Sequence, residues 1–419
     1  MVSNRPRKPN AINRDGPRRK HRPDYWLIIL ASALLVIGLV VVYSISPGLA
    51  AQNKVTENYY SSKQAISILM GIIAFVLASM VPTNKWSKFE KPLIGLSIVA
   101  AIIVILFGEK INGAYRWIQI GGFSFQAVEL IKFTIIIWLA GFLTARIKGG
   151  ELADDKKTTR PILILLGVIA CVVANPFLQS DLGSTGVIVA VIAAMCFVAT
   201  LPMKRIATIA LIIFAGTFIL VISSPYRMQR FQTYLQPESD CQNSGYQACQ
   251  ALIAVGSGGI AGKGLAHSVQ AYGYLPEAAN DSIFAIYAEK FGFLGVSIIL
   301  VLFAGLFTRL KNIMERAPDI YSRLIVTGVL AWISTQAIIN IGAMIGLLPL
   351  KGITLPFISY GGTSIIFVMA LIGVVFNISR YTTYSANTSL ESEGIAAVED
   401  NTNRRRDRRT YYATSGRRA

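Results

Sequence analysis

The sequence predicts an all-α polytopic membrane protein of about ten transmembrane helices, with cytoplasmic N- and C-termini and one large extracytoplasmic loop. Three observations carry this expectation. Of 419 residues, 53% are hydrophobic and only 15% are charged, which is more apolar surface than a water-soluble domain can hide. The apolar residues fall into ten runs, most near the roughly 20 residues a helix needs to cross hydrocarbon. The excess Lys and Arg, a formal net charge of +18, gather in the two tails and in alternate loops.

Residues 1–24, which include NRPRKPNAINRDGPRRKHRPD, form a polar, basic segment nearly free of aliphatic residues. This composition cannot build a core, so the segment is expected to be a disordered cytoplasmic tail. The apolar runs follow at about 25–46, 63–82, 91–107, 127–145, 160–176, 184–201, 206–224, 282–308, 323–347 and 363–379. The first is too long for a signal-peptide core and reads as a retained anchor. The third and fifth are short enough to be tilted or partly re-entrant. The polytopic domain thus spans 25–380, and 381–419 is a second disordered basic tail. Next to membrane spans such tails point to anionic lipid, and no nucleic-acid partner is expected.

Orientation follows from the loops. Lys85, Lys88 and Lys91 lie between the second and third runs, and Arg146, Lys148, Lys156, Lys157 and Arg160 between the fourth and fifth. Lys204 and Arg205 separate the sixth from the seventh, and Arg309, Lys311, Arg316 and Arg323 the eighth from the ninth. These loops share the cytoplasmic side with the tails. The loops at 47–62, 108–126, 177–183, 225–281 and 348–362 face outward, and the longest of them, 225–281, is the large extracytoplasmic loop. Long loops of this kind usually carry function.

Several charged residues sit where membrane burial makes them costly. Asp281 stands at the mouth of the eighth run, and Glu289 lies on an i, i+4, i+8 row with it and Ala285. Asn280 or Asp281 is placed to cap a helix beginning at Ser282, while a carboxylate at that boundary also suits a general base. Lys290 points elsewhere on the helix, toward another segment. Glu129 and Lys132 are spaced to neutralise one another on one helix face. Gln179 and Asp181 lie in the outward turn NPFLQSDLG, where Asp181 is either a turn residue, a cap or a ligand contact.

The run VGSGGIAGKGL is not a P-loop, because Ser257 stands where a Walker pattern needs Gly and Gly264 where it needs Ser or Thr. Its glycines permit tight turns and close backbone approach, and Lys263 adds positive charge for a phosphate. Arg116 and Trp117 offer a cation and an amphipathic ring at the interface. Cys171 and Cys196 fall in apolar runs as inert core residues. Cys241 and Cys249, close together in the large loop, form either a disulfide or two free thiols. With two His residues and no C-x-x-C, a transition-metal site is not expected.

Four segments, GAYRWIQIGGFSFQAVELIKF, QSDLGST, YQACQALIAVGSGGIAGKGLAHSVQAYGYLPEAANDSIFAIYAEKFG and GLLPLKGITLPFISYGGTSII, occur in that order. Through them the polytopic core, about 25 to 380, resembles the SEDS family of bacterial shape, elongation, division and sporulation proteins, nearer the division branch. The resemblance implies a peptidoglycan glycosyltransferase that polymerises lipid II with release of undecaprenyl pyrophosphate and inversion. It implies location in the bacterial cytoplasmic membrane with the active site facing outside, and a class B penicillin-binding protein as partner. The family's essential carboxylate falls on Asp281, its S-E-x-x-K pair on Glu129 and Lys132, and its R-W pair on Arg116 and Trp117. Gln179, Asp181, Lys263, Ser268, Gln270, Glu277, Glu289 and Ser359 complete the expected substrate-binding set. Arg116, Lys132 and Lys263 are the candidates to meet pyrophosphate charge, with a divalent cation such as Mg2+ or Mn2+ and no organic cofactor. Ser180, Val128, Ala279, Asn280 and Lys290 depart from the family pattern. The alternatives are a lipid II flippase or transporter, and a non-catalytic division scaffold.

Overall fold

The computed structural model describes residues 21–382 apart from 112–113, 121–122, 153, 170–172, 174–180, 223–227, 229–233, 235–240 and 244; some side chains within helices and strands, Arg116 among them, are also outside the description. Nearly all of both tails, Gln179 and Cys171 lie outside the described residues.

In chain order the helices are α1 Tyr25–Asn53, α2 Tyr59–Met80, α3 Thr83–Phe107, α4 Ala127–Lys148, α5 Arg160–Ile169, α6 Leu182–Val198 and α7 Met203–Ile222, then α8 Tyr246–Ser257, α9 Ile283–Glu315, α10 Ile320–Met344 and α11 Gly362–Ser379. Each of the ten apolar runs overlaps one of them, within the described residues. Among the described residues, seven helices are long and apolar enough to cross a membrane, and α6 is a shorter apolar helix. The eleventh, α8, belongs to the large loop. The chain is a multi-pass membrane protein.

The stretch after α3, which hydropathy reads only as an outward loop, is a three-stranded antiparallel sheet: β1 Glu109–Ile111, β2 Ala114–Ile120 and β3 Phe123–Phe125. Alternation explains it. Ile118 and Phe125 pack down on Val104, Ala127 and Leu130 at the ends of α3 and α4, and Gln119 pairs with Ser124 between the strands.

Burial divides the helices. Most of α4, α10 and α11 is inside the protein, whereas α2, α3 and α9 keep wide apolar faces outward, including Leu69, Ile102 and Ile298. Such faces are what lipid tails cover. Asp24 begins α1 as its N-cap, accepting from the Trp26 N–H at 3.0 Å, while its own N–H reaches Ser379 Oγ at the end of α11. The first and last helices therefore meet at one end of the bundle.

Two irregular backbone segments lie inside. The segment 353–361 after α10 is mostly buried, with Phe357 held at φ 68°. A Cβ at Gly38 of α1 would fall 2.7 Å from the Ile358 backbone, so only glycine lets that loop approach. The other is a break in α9 at Gly292, where φ is 62° and ψ −163°.

Candidate active site

Four helix starts and one helix end converge at one end of the bundle. The Gln126 N–H before α4 reaches Thr363 Oγ1 at the start of α11, and its side chain reaches Asp181 Oδ2 before α6 at 3.5 Å. A Cβ at Gly183 would sit 2.8 Å from the Lys351 carbonyl, which seats α6 on the loop after α10. The Tyr360 N–H donates to the Ala279 carbonyl at 2.8 Å, joining that loop to the turns before α9. Burial pushes the Tyr360 phenol well above its ordinary pKa, helped by the neighbouring Tyr59 and Tyr60.

Asp281 lies in these turns. The helix starts at Ile283 rather than Ser282, and its N-cap, Ser282, makes no side-chain capping bond. The Ser282 hydroxyl instead donates to the Pro276 carbonyl at 2.9 Å. The capping role considered for Asp281 is thus not how this helix begins, and Asp281 is outside the helical row expected to align it with Glu289. Its surroundings are a small pocket lined by Asp281, Asn340, Met344, Lys351, Gly352 and Ile353. Gly352 has φ 62°, and a Cβ there would lie 3.6 Å from Asp281 Oδ2. Asp281 and Lys351, from separate loops, therefore line one pocket.

Glu129 and Lys132 pair as expected, at 2.7 Å with both side chains buried. The pair is not self-contained. Lys132 Nζ also donates to Gln336 Oε1 at 3.1 Å and sits 4.5 Å from the Trp332 ring centroid. Trp332 Nε1 donates to the same Gln336 oxygen, and Gln336 Nε2 donates to the Thr354 carbonyl at 2.9 Å. Lys132 is therefore sealed inside the bundle, where an ammonium needs its carboxylate.

Glu289 is fully buried and surrounded by donors. It accepts from Lys263 Nζ at 3.0 Å, from the Ser268 hydroxyl, and from the Val269 and Gln270 N–H groups at 3.1 Å each. This carboxylate organises residues 263–270 rather than facing a cavity, and it claims Lys263, Ser268 and the Gln270 backbone with it. Beside it, Lys290 Nζ donates to the Leu265 carbonyl, the separate segment its position pointed to.

The glycine-rich run completes this clasp. At the break in α9 the Glu289 and Lys290 carbonyls lose their helical partners and accept from the Lys263 and Gly264 N–H groups, at 2.9 Å each. The Phe293 and Leu294 N–H groups donate to the Gly259 and Ile260 carbonyls at 2.9 and 3.1 Å. A Cβ at Gly258 would meet the Ala288 carbonyl at 2.1 Å, and one at Gly262 the Lys290 carbonyl at 2.2 Å. The close approach that the glycines permit is to a helix of the same chain.

Of the remaining candidates, Asp181 caps α6 by accepting from the Ser184 N–H at 2.9 Å. Ser359 accepts from the Leu355 N–H at 2.7 Å and holds its own loop. Glu277, at φ 52°, accepts from the Asn280 side chain. Trp117 is a half-buried residue of β2, and Arg116 precedes it on that strand. Cys241 and Cys249 are joined in a disulfide, and Cys196 is buried and free. Sequence reasoning did not single out Gln336, Asn340 or Lys351. The first two had a signal, polar amides at i, i+4 in an apolar helix; the third is a lone cation in a loop poor in Lys and Arg.

Among the described residues, no group of three His, Cys, Asp or Glu side chains is placed to hold a metal ion.

A family model described as "Cell cycle protein", covering FtsW, RodA and SpoVE, matches residues 25–384. Stage V sporulation protein E of Bacillus subtilis (strain 168) is 37% identical over 368 residues, covering 87% of this chain and 99% of that protein. A probable peptidoglycan glycosyltransferase FtsW of Thioalkalivibrio sulfidiphilus is 35% identical, covering 88% and 92%. Among solved structures, a chain from "Structural coordination of polymerization and crosslinking by a peptidoglycan synthase complex" superposes with a TM-score of 0.68 at 26% identity, covering 85% of this chain and 98% of that one. The rod shape determining protein RodA of Thermus thermophilus gives 0.62 at 25% identity, covering 86% and 98%.

Proposed function

The chain belongs to the FtsW, RodA and SpoVE family of cell cycle proteins, and from that premise we propose that Asp281 is the general base of its glycosyl transfer. The protein is a peptidoglycan glycosyltransferase of the SEDS type. Its substrate in this reading is lipid II, bound with its sugars at the convergent end of the bundle and its lipid along the apolar helices. Asp281 takes the proton of the acceptor sugar hydroxyl as that oxygen attacks the anomeric carbon of the donor. The new C–O bond forms as the bond to undecaprenyl pyrophosphate breaks, and the departing electron pair leaves on the pyrophosphate with inversion at carbon.

The observation that carries this reading is the pairing of Asp281 and Lys351 on one pocket. A base needs to reach the hydroxyl, and a fixed cation beside it stabilises charge developing on the leaving group. The pocket faces the outside of the bacterial cytoplasmic membrane, where the glycan is needed, and a class B penicillin-binding protein supplies the cross-linking step.

The test is polymerisation of labelled lipid II by the purified protein, with and without that partner. Wild type is expected to make glycan chains and Asp281→Asn none above background. Equal polymer from Asp281→Asn would remove the base. Movement of lipid II across liposomes without polymer would replace the reading with a flippase.

A further inference from the structure

The Asp281 turn and the Lys351 loop come from stretches of chain far apart in sequence, yet they line one pocket. Something must hold their backbones in register, and one side chain does so directly. Asn340, buried in the last turns of α10, donates both hydrogens of Nδ2: one to the Asp281 carbonyl and one to the Ile353 carbonyl, each at 2.7 Å. With two carbonyl acceptors the orientation of the amide is unambiguous, since only nitrogen can donate.

We propose that Asn340 is a positioning residue for the glycosyl transfer, a two-pronged amide that fixes the Asp281 backbone against the loop bearing Lys351. Anchoring the loop alone does not need it to touch Asp281. One turn earlier on the same face, Gln336 already holds the next carbonyl, that of Thr354. The bond to the Asp281 carbonyl is the additional one, and it joins the two segments that bring Asp281 and Lys351 to the pocket. Removing it leaves both charged side chains present but frees the distance between them, and misplacement on the scale of 1 Å is enough to cost a large part of a rate.

The inference rests on Asp281 as the base, so both are tested together. Full-length protein with its penicillin-binding partner is assayed on lipid II as wild type, Asp281→Asn, Asn340→Leu and Asn340→Asp, with thermal unfolding followed alongside. Asn340→Leu keeps the volume and loses both bonds; Asn340→Asp keeps the shape and sets a carboxylate against two carbonyl oxygens. The expected result is a kcat about 100-fold lower in both Asn340 variants, with KM within about twofold of wild type. If the leucine variant cannot be purified folded, the aspartate variant is read in the same way. The inference is overturned if either folded variant retains wild-type kcat. It is also overturned if kcat, KM and unfolding temperature all deteriorate together, which marks a merely structural residue. Asp281→Asn separates the two ideas: full activity there overturns the base itself, whereas inactivity there with normal Asn340 variants overturns only the positioning.

Discussion

Asp281 and Glu289 stand eight residues apart, and their surroundings could hardly differ more. Glu289 is fully buried, with four donors closing around it, the Lys263 ammonium among them. Asp281 lies in a turn before the same helix, on a pocket it shares with Lys351. The contrast separates two reasons for placing charge near a membrane. A carboxylate whose acceptor sites are filled by its own chain holds the fold together. One that lines a pocket between two loops is the candidate for chemistry. Glu129 stands between the two: one oxygen holds the Lys132 ammonium, which is tied through Gln336 to the Thr354 carbonyl, while its Oε2 is buried with no hydrogen-bond partner among the described residues.

Four substitutions sharpen or break this contrast. The largest effect is expected from Asp281→Asn: polymerisation about 10² to 10⁴ lower, the usual worth of a general base, with unfolding temperature close to wild type. Loss of folding in that variant would put Asp281 in the structural class. Glu289→Ala should do the reverse, removing about 3–5 kcal/mol of stability because Lys263 and the surrounding donors lose their acceptor; chemical denaturation of the purified protein measures it. If Glu289→Ala folds normally and fails only in catalysis, the division between the two carboxylates collapses. Gly292→Ala comes next. It places a Cβ about where the Gly262 backbone nitrogen sits, 2.3 Å away, at φ 62°, and a cost of roughly 1–3 kcal/mol is expected from the strained backbone alone.

The smallest effect is reserved for the loop after α4. There Lys157, and secondarily Arg146, holds the exposed Glu151 carboxyl below the usual carboxylate range. Glu151 in turn raises the Lys157 ammonium. With the carboxyl depressed, the contact contributes above the ordinary Glu value and fades as pH falls through the lowered one. With the ammonium raised, it fades again as pH rises through the Lys157 value in the folded protein. Exposed pairs are worth little, so Glu151→Gln should leave unfolding at neutral pH within error of wild type. A large shift there would show that this loop is a structural clasp of the same rank as Glu289.

The helices were legible in the chain because hydropathy is a local property: all ten apolar runs became helices without reference to their neighbours. The ion pair at Glu129 and Lys132 was legible for the same reason, both partners being on one helical face. What stayed hidden depended on partners distant in sequence. Nothing near Gly258 or Gly262 announces that a helix backbone will press against them, and nothing near Asn340 names the Asp281 carbonyl as its acceptor. The sheet at 109–125 was hidden because two of its three strands have only three residues, and the seven-residue strand between them sits in a segment that hydropathy reads simply as a loop. Asp281 was found through its motif, yet its local spelling pointed to a cap that the Ser282 start of the helix does not use.

The break at Gly292 also bears on how the protein is made. A transmembrane helix usually completes its own hydrogen bonds, but in the folded protein α9 does not. Four of its backbone groups, on Glu289, Lys290, Phe293 and Leu294, are satisfied only by residues 259–264, and each would be costly if left bare in hydrocarbon. In the folded protein, the stretch from Gly258 through Leu294 is therefore one hydrogen-bonded unit with the helix that follows. Synthesis order suits this, because the ribosome releases the glycine-rich segment before the helix that depends on it. An insertion between the two, even one that leaves every helix intact, would be felt first as a defect of biogenesis.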